Sequence, residues 1–172
     1  SIQITVYAQL TGGSIGSAQS ICYNTAPAGL TQTAPATGGT GTYTYQWQSS
    51  PDNSTWSNII GATGTTYNPP ALTTSTYYRR VVTSAPCGSA NSNSILITVY
   101  PDVTPGTISA AQSICYNTAP AGLTGTAPTG GNGTYSYQWQ SSPDNSTWSN
   151  IGGATGANYS PPALTSNTYY RR

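Results

Sequence analysis

The chain repeats itself with a period of about 92 residues, and this repeat constrains the fold more than any other feature of the sequence. The segment YQWQSSPDNSTWSNI at residues 45–59 recurs unchanged at residues 137–151. Aligning residues 8–80 with residues 101–172 gives 56 identities in 72 pairs. Two copies this similar must adopt the same fold, so the chain is built from successive copies of one unit.

The pattern within each copy predicts β-strands. Residues 42–49 read TYTYQWQS, an alternation that places Tyr45 and Trp47 on one face of a half-buried strand. Strands and turns recur every 8–12 residues, and a unit of about 92 residues has the length of one immunoglobulin-like sandwich. The sequence therefore predicts an all-β chain of tandem immunoglobulin-like β-sandwich repeats, with Tyr45, Trp47 and their copies Tyr137 and Trp139 in the cores.

The repeat also predicts the domain boundaries. Residues 1–7 read SIQITVY and match SILITVY at residues 94–100. We therefore expect residues 1–7 to be the last strand of a preceding repeat, residues 8–100 a complete repeat, and residues 101–172 a second repeat that lacks its final strand. We expect these two repeats to be a stretch of a longer array of such repeats. The alternative is that residues 1–7 complete the sheet of another copy by donor-strand addition.

The charged residues exclude several classes of function. The chain has four Lys plus Arg, three Asp plus Glu, and no His. Most acid–base catalysts and the commonest metal ligand are therefore missing, so we expect no enzyme, no metal and no cofactor. A net charge of +1 cannot release the counterions that drive nucleic-acid binding. No apolar run approaches the roughly 18 residues of a spanning helix, so we expect no membrane insertion.

The cysteines suggest a disulfide. Cys22 and Cys87 are separated by a distance in sequence that is typical of a bridge between the two sheets of a sandwich, so we predict that they pair. The partner of Cys115 would then lie outside the chain. Paired cysteines favour an oxidising compartment. The alternative is that Cys22 and Cys87 are buried free thiols.

Trp56 and Trp148 follow the SPDNS turn in the two copies and are the candidates for ligand stacking. Exposed Trp beside Asn and Gln suits the apolar face of a sugar ring. The competing interpretation is a Trp at a strand edge that closes the core. The Arg pairs at residues 79–80 and 171–172 carry all the positive side-chain charge, and one member of each must point inward, because neighbouring strand residues face opposite sides.

The order of motifs resembles a known family. Cys is followed by a GL-x-T strand, a Gly-rich turn, Y-x-W, the P-D-N-S-x-W hairpin, T-Y-Y, a second Cys and a short hydrophobic strand. This order is similar to that of the immunoglobulin-like tandem repeats of giant Bacteroidota cell-surface adhesins, including adhesins of gliding motility. The resemblance implies secretion by the type IX system and a location outside the cell, at its surface.

Three hypotheses for the function follow. The first is a non-enzymatic structural repeat that forms the shaft of a long extracellular adhesin or surface filament. The second is a carbohydrate-binding module that uses exposed Trp and Tyr. The third is a fibre subunit that self-assembles by donor-strand addition of residues 1–7. The expected partners are neighbouring repeats, copies associated laterally or end to end, and polysaccharide in the second hypothesis.

Overall fold

Every regular element of the computed structural model, which describes residues 1–172, is a β-strand. The chain divides into two units, Ser1–Pro101 and Asp102–Arg172. Unit 1 contains β1 (Ser14–Ile15), β2 (Gln19–Cys22), β3 (Gln32–Ala34), β4 (Thr44–Ser50), β5 (Ser57–Asn58), β6 (Thr76–Thr83), β7 (Ser89–Asn91) and β8 (Ile95–Tyr100). Unit 2 contains β9 (Gln140–Ser142), β10 (Ser149–Asn150) and β11 (Tyr169–Arg171).

The larger sheet of unit 1 has the order β2-β8-β6-β4-β5, with β7 paired to β6. Strand β8 lies between two partners, because it pairs parallel to β2 and antiparallel to β6. Strand β7 pairs with the other end of β6, opposite Val81, Val82 and Thr83. Strand β8 therefore connects β2 to the other strands of this sheet, and β2 has no other partner in it.

The second layer of unit 1 is smaller. Strands β1 and β3 pair antiparallel, and isolated bridges join Leu30 to Tyr67 and Thr25 to Leu72. The core lies between the layers, and its buried residues come from both: Ile15, Leu30, Trp47, Ala62, Tyr78, Ile95 and Ile97. The predicted all-β sandwich fold is confirmed.

Alternation explains which side chains reach this core. Along β6, Tyr78, Arg80 and Val82 are buried while the residues between them are only partly so. Along β8, Ile95 and Ile97 are buried and Leu96 is not. Successive side chains of a strand point to opposite faces, so one face of each strand supplies the core.

The hairpin between β4 and β5 is held by one carboxylate. Asp52 Oδ1 accepts hydrogen bonds from the backbone N–H groups of Thr55 at 2.7 Å and Ser54 at 2.8 Å. Asn53 adopts a φ of 61°, in the left-handed region that Asn tolerates better than most residues. The donated hydrogen bonds, chiefly that of the Thr55 N–H, hold the pKa of Asp52 well below its usual value.

Unit 2 keeps part of the same architecture. Its sheet has the order β10-β9-β11, and its buried core consists of Leu123, Trp139 and Ala154. Bridges join Leu123 to Tyr159 and Thr118 to Leu164, as in unit 1. Residues 112–115 repeat the sequence of β2 but form no strand.

Candidate functional site

The outer face of the unit 1 sheet carries a polar ladder centred on Arg79. The Arg79 guanidinium lies 4.2 Å from the centroid of the Trp56 ring, within cation–π range. Its Nε donates to Oε1 of Gln48 at 2.7 Å, and Gln48 Nε2 donates to Oδ1 of Asn58 at 2.8 Å. Trp56 is half-buried. The candidate stacking residue therefore already holds an internal partner.

The same ladder recurs in unit 2. The Arg171 guanidinium lies 4.2 Å from the Trp148 ring, and its Nε donates to Gln140 Oε1 at 2.6 Å. Gln140 Nε2 donates to Asn150 Oδ1 at 2.8 Å. Strand pairing explains the recurrence, because Arg171 stands directly opposite Gln140 in the register of β11 and β9. The stacking arrangement is thus a property of the repeat.

The second Arg of each pair points inward, which the sequence left open. Arg80 is fully buried, and its guanidinium donates to the Thr65 carbonyl and to Gln32 Oε1, both at 2.9 Å. It lies 4.6 Å from the centroid of the Tyr45 ring. Burial lowers the pKa of Arg80. This charge is used to tie the two layers together and is closed to any external ligand.

Arg172 makes the corresponding contacts in unit 2. Its guanidinium donates to the carbonyls of Ala157 at 2.8 Å and Thr126 at 2.7 Å, and lies 4.7 Å from the Tyr137 ring centroid. It is only partly buried, whereas Arg80 is fully buried.

The predicted core residues divide by type. Trp47 and Trp139 are fully buried, and their indole N–H groups each donate to a glycine carbonyl at 3.0 Å. Tyr45 and Tyr137 are only partly buried, each with an Arg guanidinium over its ring. The two Tyr therefore cover the inward Arg rather than fill the centre of the sandwich.

The predicted Cys22–Cys87 disulfide is not formed, and Cys22, Cys87 and Cys115 are all free and exposed. Strand register gives the reason. Cys22 lies opposite Tyr100, beyond the Thr76 end of β6, and Cys87 follows the opposite end of that strand. Eight residues of strand separate these ends by roughly 20 Å or more. A disulfide needs Cα atoms within about 7 Å. The exposed thiols also differ from the buried thiols of the alternative.

Unit 2 contains an open groove that sequence reasoning did not single out. Its volume is about 660 Å³, and its walls are residues 108–116 on one side and 164–170 on the other. Ile114 and Tyr169 on these walls are 40% and 48% exposed. These walls are equivalent to β2 and β6 of unit 1, which both pair with β8. The signal in the sequence was that residues 101–172 match a repeat without its final strand.

No group of three or more His, Cys, Asp or Glu side chains is placed to hold a metal ion. The structure contains no helix with the length and apolarity needed to cross a bilayer. The polar side chains at the ladders and turns bind other residues of their own unit.

The fold and these contacts define the class: a tandem repeat of β-sandwich units whose distinctive polar side chains are tied into internal contacts. A family model described as "Domain of unknown function (DUF8696)" matches the chain twice, over residues 11–101 and 104–172. The chain belongs to this family and carries two copies of its domain. A comparison with curated proteins found no match.

Proposed function

We propose that the chain is a non-enzymatic structural repeat that forms part of the shaft of a long extracellular adhesin or surface filament. In this proposal its partners are neighbouring repeats and other copies. The location at the cell surface, the secretion route and a link to gliding motility rest on the resemblance to Bacteroidota repeat adhesins.

One observation carries the proposal: both copies use their unusual side chains in the same internal contacts. The outer Arg of each unit stacks on Trp at 4.2 Å, and the turn Asp of each accepts backbone N–H groups. The inner Arg of each donates to backbone carbonyls. In both units the charged side chains stabilise the domain itself. Such a domain is suited to a structural role, as in the shaft of a filament.

The path of the chain through unit 1 supports the same function. The Ala8 carbonyl accepts a hydrogen bond from Gly39 N–H, and the neighbouring Thr40 N–H donates to Ser84, just beyond the end of β6. The chain leaves unit 1 at Tyr100, opposite Cys22 at the other end of the sheet. Between Ala8 and Tyr100 the chain therefore crosses unit 1 from one end of its sheet to the other.

Location is the first test. Antibodies against the 172-residue chain, used in immuno-electron microscopy of cells that produce it, should label extended material outside the cell. Repeated labelling along single threads is the expected pattern. Labelling confined to the cell interior would overturn the proposal.

Carbohydrate binding is the second candidate, and one observation favours it. Trp56 is only half-buried, with Gln48 and Asn58 joined beside it. Titration calorimetry with polysaccharides separates the two functions. Loss of binding in a Trp56→Ala, Trp148→Ala variant, but not in a Tyr23→Ala control, would support the carbohydrate module. A repeat that serves only as part of a shaft should bind none of the polysaccharides.

A further inference from the structure

We propose that the outer Arg of each unit, Arg79 or Arg171, binds a carboxylate group of an acidic polysaccharide through its two terminal nitrogens. The proposal deepens the carbohydrate-binding candidate by naming the class of sugar, and it rests on that candidate and not on the shaft function. It gives Trp56 and Trp148 a task other than stacking on a sugar ring, because they hold the guanidinium in place.

The two arginines of each pair use their guanidinium nitrogens differently. Both terminal nitrogens of Arg80, Nη1 and Nη2, donate hydrogen bonds within the protein, and those of Arg172 do the same. Arg79 and Arg171 each donate only through Nε. Their terminal nitrogens are not among the enclosed atoms of the structure. The outer Arg of each unit therefore presents two unpaired donor groups to solvent.

No carboxylate of the chain satisfies these donors. The chain has three Asp and Glu residues in all. Asp52 accepts hydrogen bonds from four donors of its own hairpin, and Asp144 accepts the equivalent bonds in unit 2. Because these turn carboxylates are already engaged, Arg79 and Arg171 keep a positive charge that is free to bind an external anion.

The guanidinium of Arg79 is held from two directions. It lies 4.2 Å from the centroid of the Trp56 ring, and its Nε donates to Gln48 at 2.7 Å. Since Nε is occupied, the free edge is the one formed by Nη1 and Nη2, which can donate to both oxygens of one carboxylate. A side chain that is already held in place loses little rotamer freedom on binding, so this arrangement favours affinity.

The neighbours of this edge suit a sugar. Asn58 is exposed, and its Nδ2 group donates to no other residue. Tyr77 lies on the same face as Arg79, two residues along β6 and therefore roughly 7 Å away. Amide and hydroxyl groups of this kind form hydrogen bonds with neutral hydroxyls. A uronic acid polymer, which carries one carboxylate and several hydroxyls on each sugar, matches this combination.

Charge argues against nucleic acid as the ligand. Binding to a phosphate backbone draws its strength from many cations that displace counterions. The chain has a net charge of +1, and each unit has a single Arg on its outer face. One fixed guanidinium among neutral hydrogen-bonding groups is suited to an isolated carboxylate, not to a dense row of phosphates.

Unit 2 repeats every part of the site. Arg171 lies 4.2 Å from the Trp148 ring, and its Nε donates to Gln140 at 2.6 Å. Asn150 is exposed beside Gln140, and Tyr169, the counterpart of Tyr77, is 48% exposed. The site is therefore a property of the repeat, and a polymer that engages more than one copy gains avidity.

An NMR titration of the 172-residue chain tests the proposal. The probe is an oligogalacturonate, and the matched control is its methyl ester, which has the same sugars without the charge. The indole N–H signals of Trp56 and Trp148 and the Nε–H signals of Arg79 and Arg171 report binding. These signals should shift with the acid and not with the ester, whereas the indole signals of the two buried Trp should stay in place.

Arg79→Lys is the sharpest variant, because it keeps the net charge and removes the paired donors of the guanidinium. Affinity at unit 1 should fall roughly tenfold or more, the usual effect of losing a hydrogen bond to a charged group. The Trp148 signal should respond as before, so that unit 2 serves as the control. Arg171→Lys should give the reverse result. Unchanged buried Trp signals show that each variant is folded, and unchanged affinity in both variants would overturn the proposed contact.

The remaining outcomes separate this proposal from the others. Equal affinity for the acid and the methyl ester would overturn the carboxylate site and keep the carbohydrate module. Tighter binding of single-stranded DNA than of an oligogalacturonate with the same charge would overturn polysaccharide as the ligand. Absence of shifts with oligogalacturonate and with alginate oligomers would overturn the site. None of these results depends on where antibodies label the cell, so the shaft function is tested separately.

Discussion

The two units share 56 of 72 aligned residues, yet they are not equally complete. Residues 19–22 form strand β2, whereas residues 112–115, with the identical sequence QSIC, form none. Ile15 is buried in unit 1, but its counterpart Ile108 is only partly buried. Because residues 19–22 and 112–115 are identical, the difference between these two segments shows that strand β2 depends on its pairing with β8.

Asn93 shows how far this effect reaches. Its Oδ1 accepts from the Ile15 N–H at 2.8 Å, and its Nδ2 donates to the Ile15 carbonyl at 3.3 Å. The Asn93 side chain thus forms, with the backbone of β1, the hydrogen bonds that a neighbouring strand would otherwise form. Residues 81–100 therefore complete both layers of unit 1, which explains why the core of unit 2 has only three buried members.

The largest expected effect comes from Ile97, which is fully buried in unit 1. Ile97→Ala should lower the free energy of unfolding of unit 1 by about 2–5 kcal/mol, the usual cost of a large-to-small change in a core. The matched variant Ile4→Ala should leave it unchanged, because the exposed Ile4 side chain packs in neither core. Urea denaturation followed by residue-resolved NMR measures both. Similar losses in the two variants would contradict the assignment of β8 as the completing strand.

The next largest loss of stability is expected from substitution of the inner Arg residues, Arg80 and Arg172. Arg80→Met removes a fully buried guanidinium together with its hydrogen bonds to the Thr65 carbonyl and Gln32 Oε1, at a cost of about 1–3 kcal/mol. Arg172→Met should cost less, because Arg172 is only partly buried and water can replace its hydrogen bonds. Thermal unfolding of the two variants compares them. A larger loss for Arg172→Met would show that exposure does not set the difference.

Hydrogen exchange should show a difference between the two identical QSIC segments. Amides of residues 19–22 that pair with β8 should exchange slowly, and those of residues 112–115 rapidly. NMR is required, because identical peptides cannot be told apart by mass. The measurement should be made in the Ile2→Ser, Ile4→Ser, Val6→Ser variant, to exclude pairing of residues 1–7 with residues 112–115 of another copy. A variant chain with a copy of residues 81–100 appended after Arg172 should show slow exchange at residues 112–115. Rapid exchange there would contradict the dependence of this strand on a β8-like partner.

The smallest effect, and the one expected to be equal in both units, concerns the turn carboxylates. Hydrogen bonds from Thr55 and Thr147 N–H groups hold the pKa of Asp52 and Asp144 below the ordinary value of 3.8. Because each folded pKa lies below the unfolded one, the stabilisation is fully present above about pH 4 and is lost as the pH falls further.

Asp52→Asn and Asp144→Asn should each weaken this acid-induced loss in their own unit by similar amounts. Unfolding of each unit between neutral pH and pH 2, followed by NMR, provides the measurement. Unequal effects would mean that the lack of a β8 counterpart in unit 2 also changes the stability of the β9–β10 hairpin.

Features that depend on neighbouring residues could be read from the sequence alone. The repeat, the alternation that buries Trp47 and Trp139, and the turn chemistry of Asp52 and Asp144 all follow from side-chain order, because strand faces and tight turns are set locally. The fold class followed from these features. So did the expectation that one Arg of each pair points inward.

The tertiary structure decided what depends on distant partners. Strand register placed Cys22 and Cys87 at opposite ends of the sheet, although their spacing had suggested a bridge. It also selected Arg80 as the inward Arg, in line with Tyr78 and Val82. The sequence QSIC forms a strand at residues 19–22 in unit 1 and no strand at residues 112–115 in unit 2. The physical reason is that a strand's main-chain hydrogen bonds are made with another strand, so its own residues permit the structure but only its neighbours complete it.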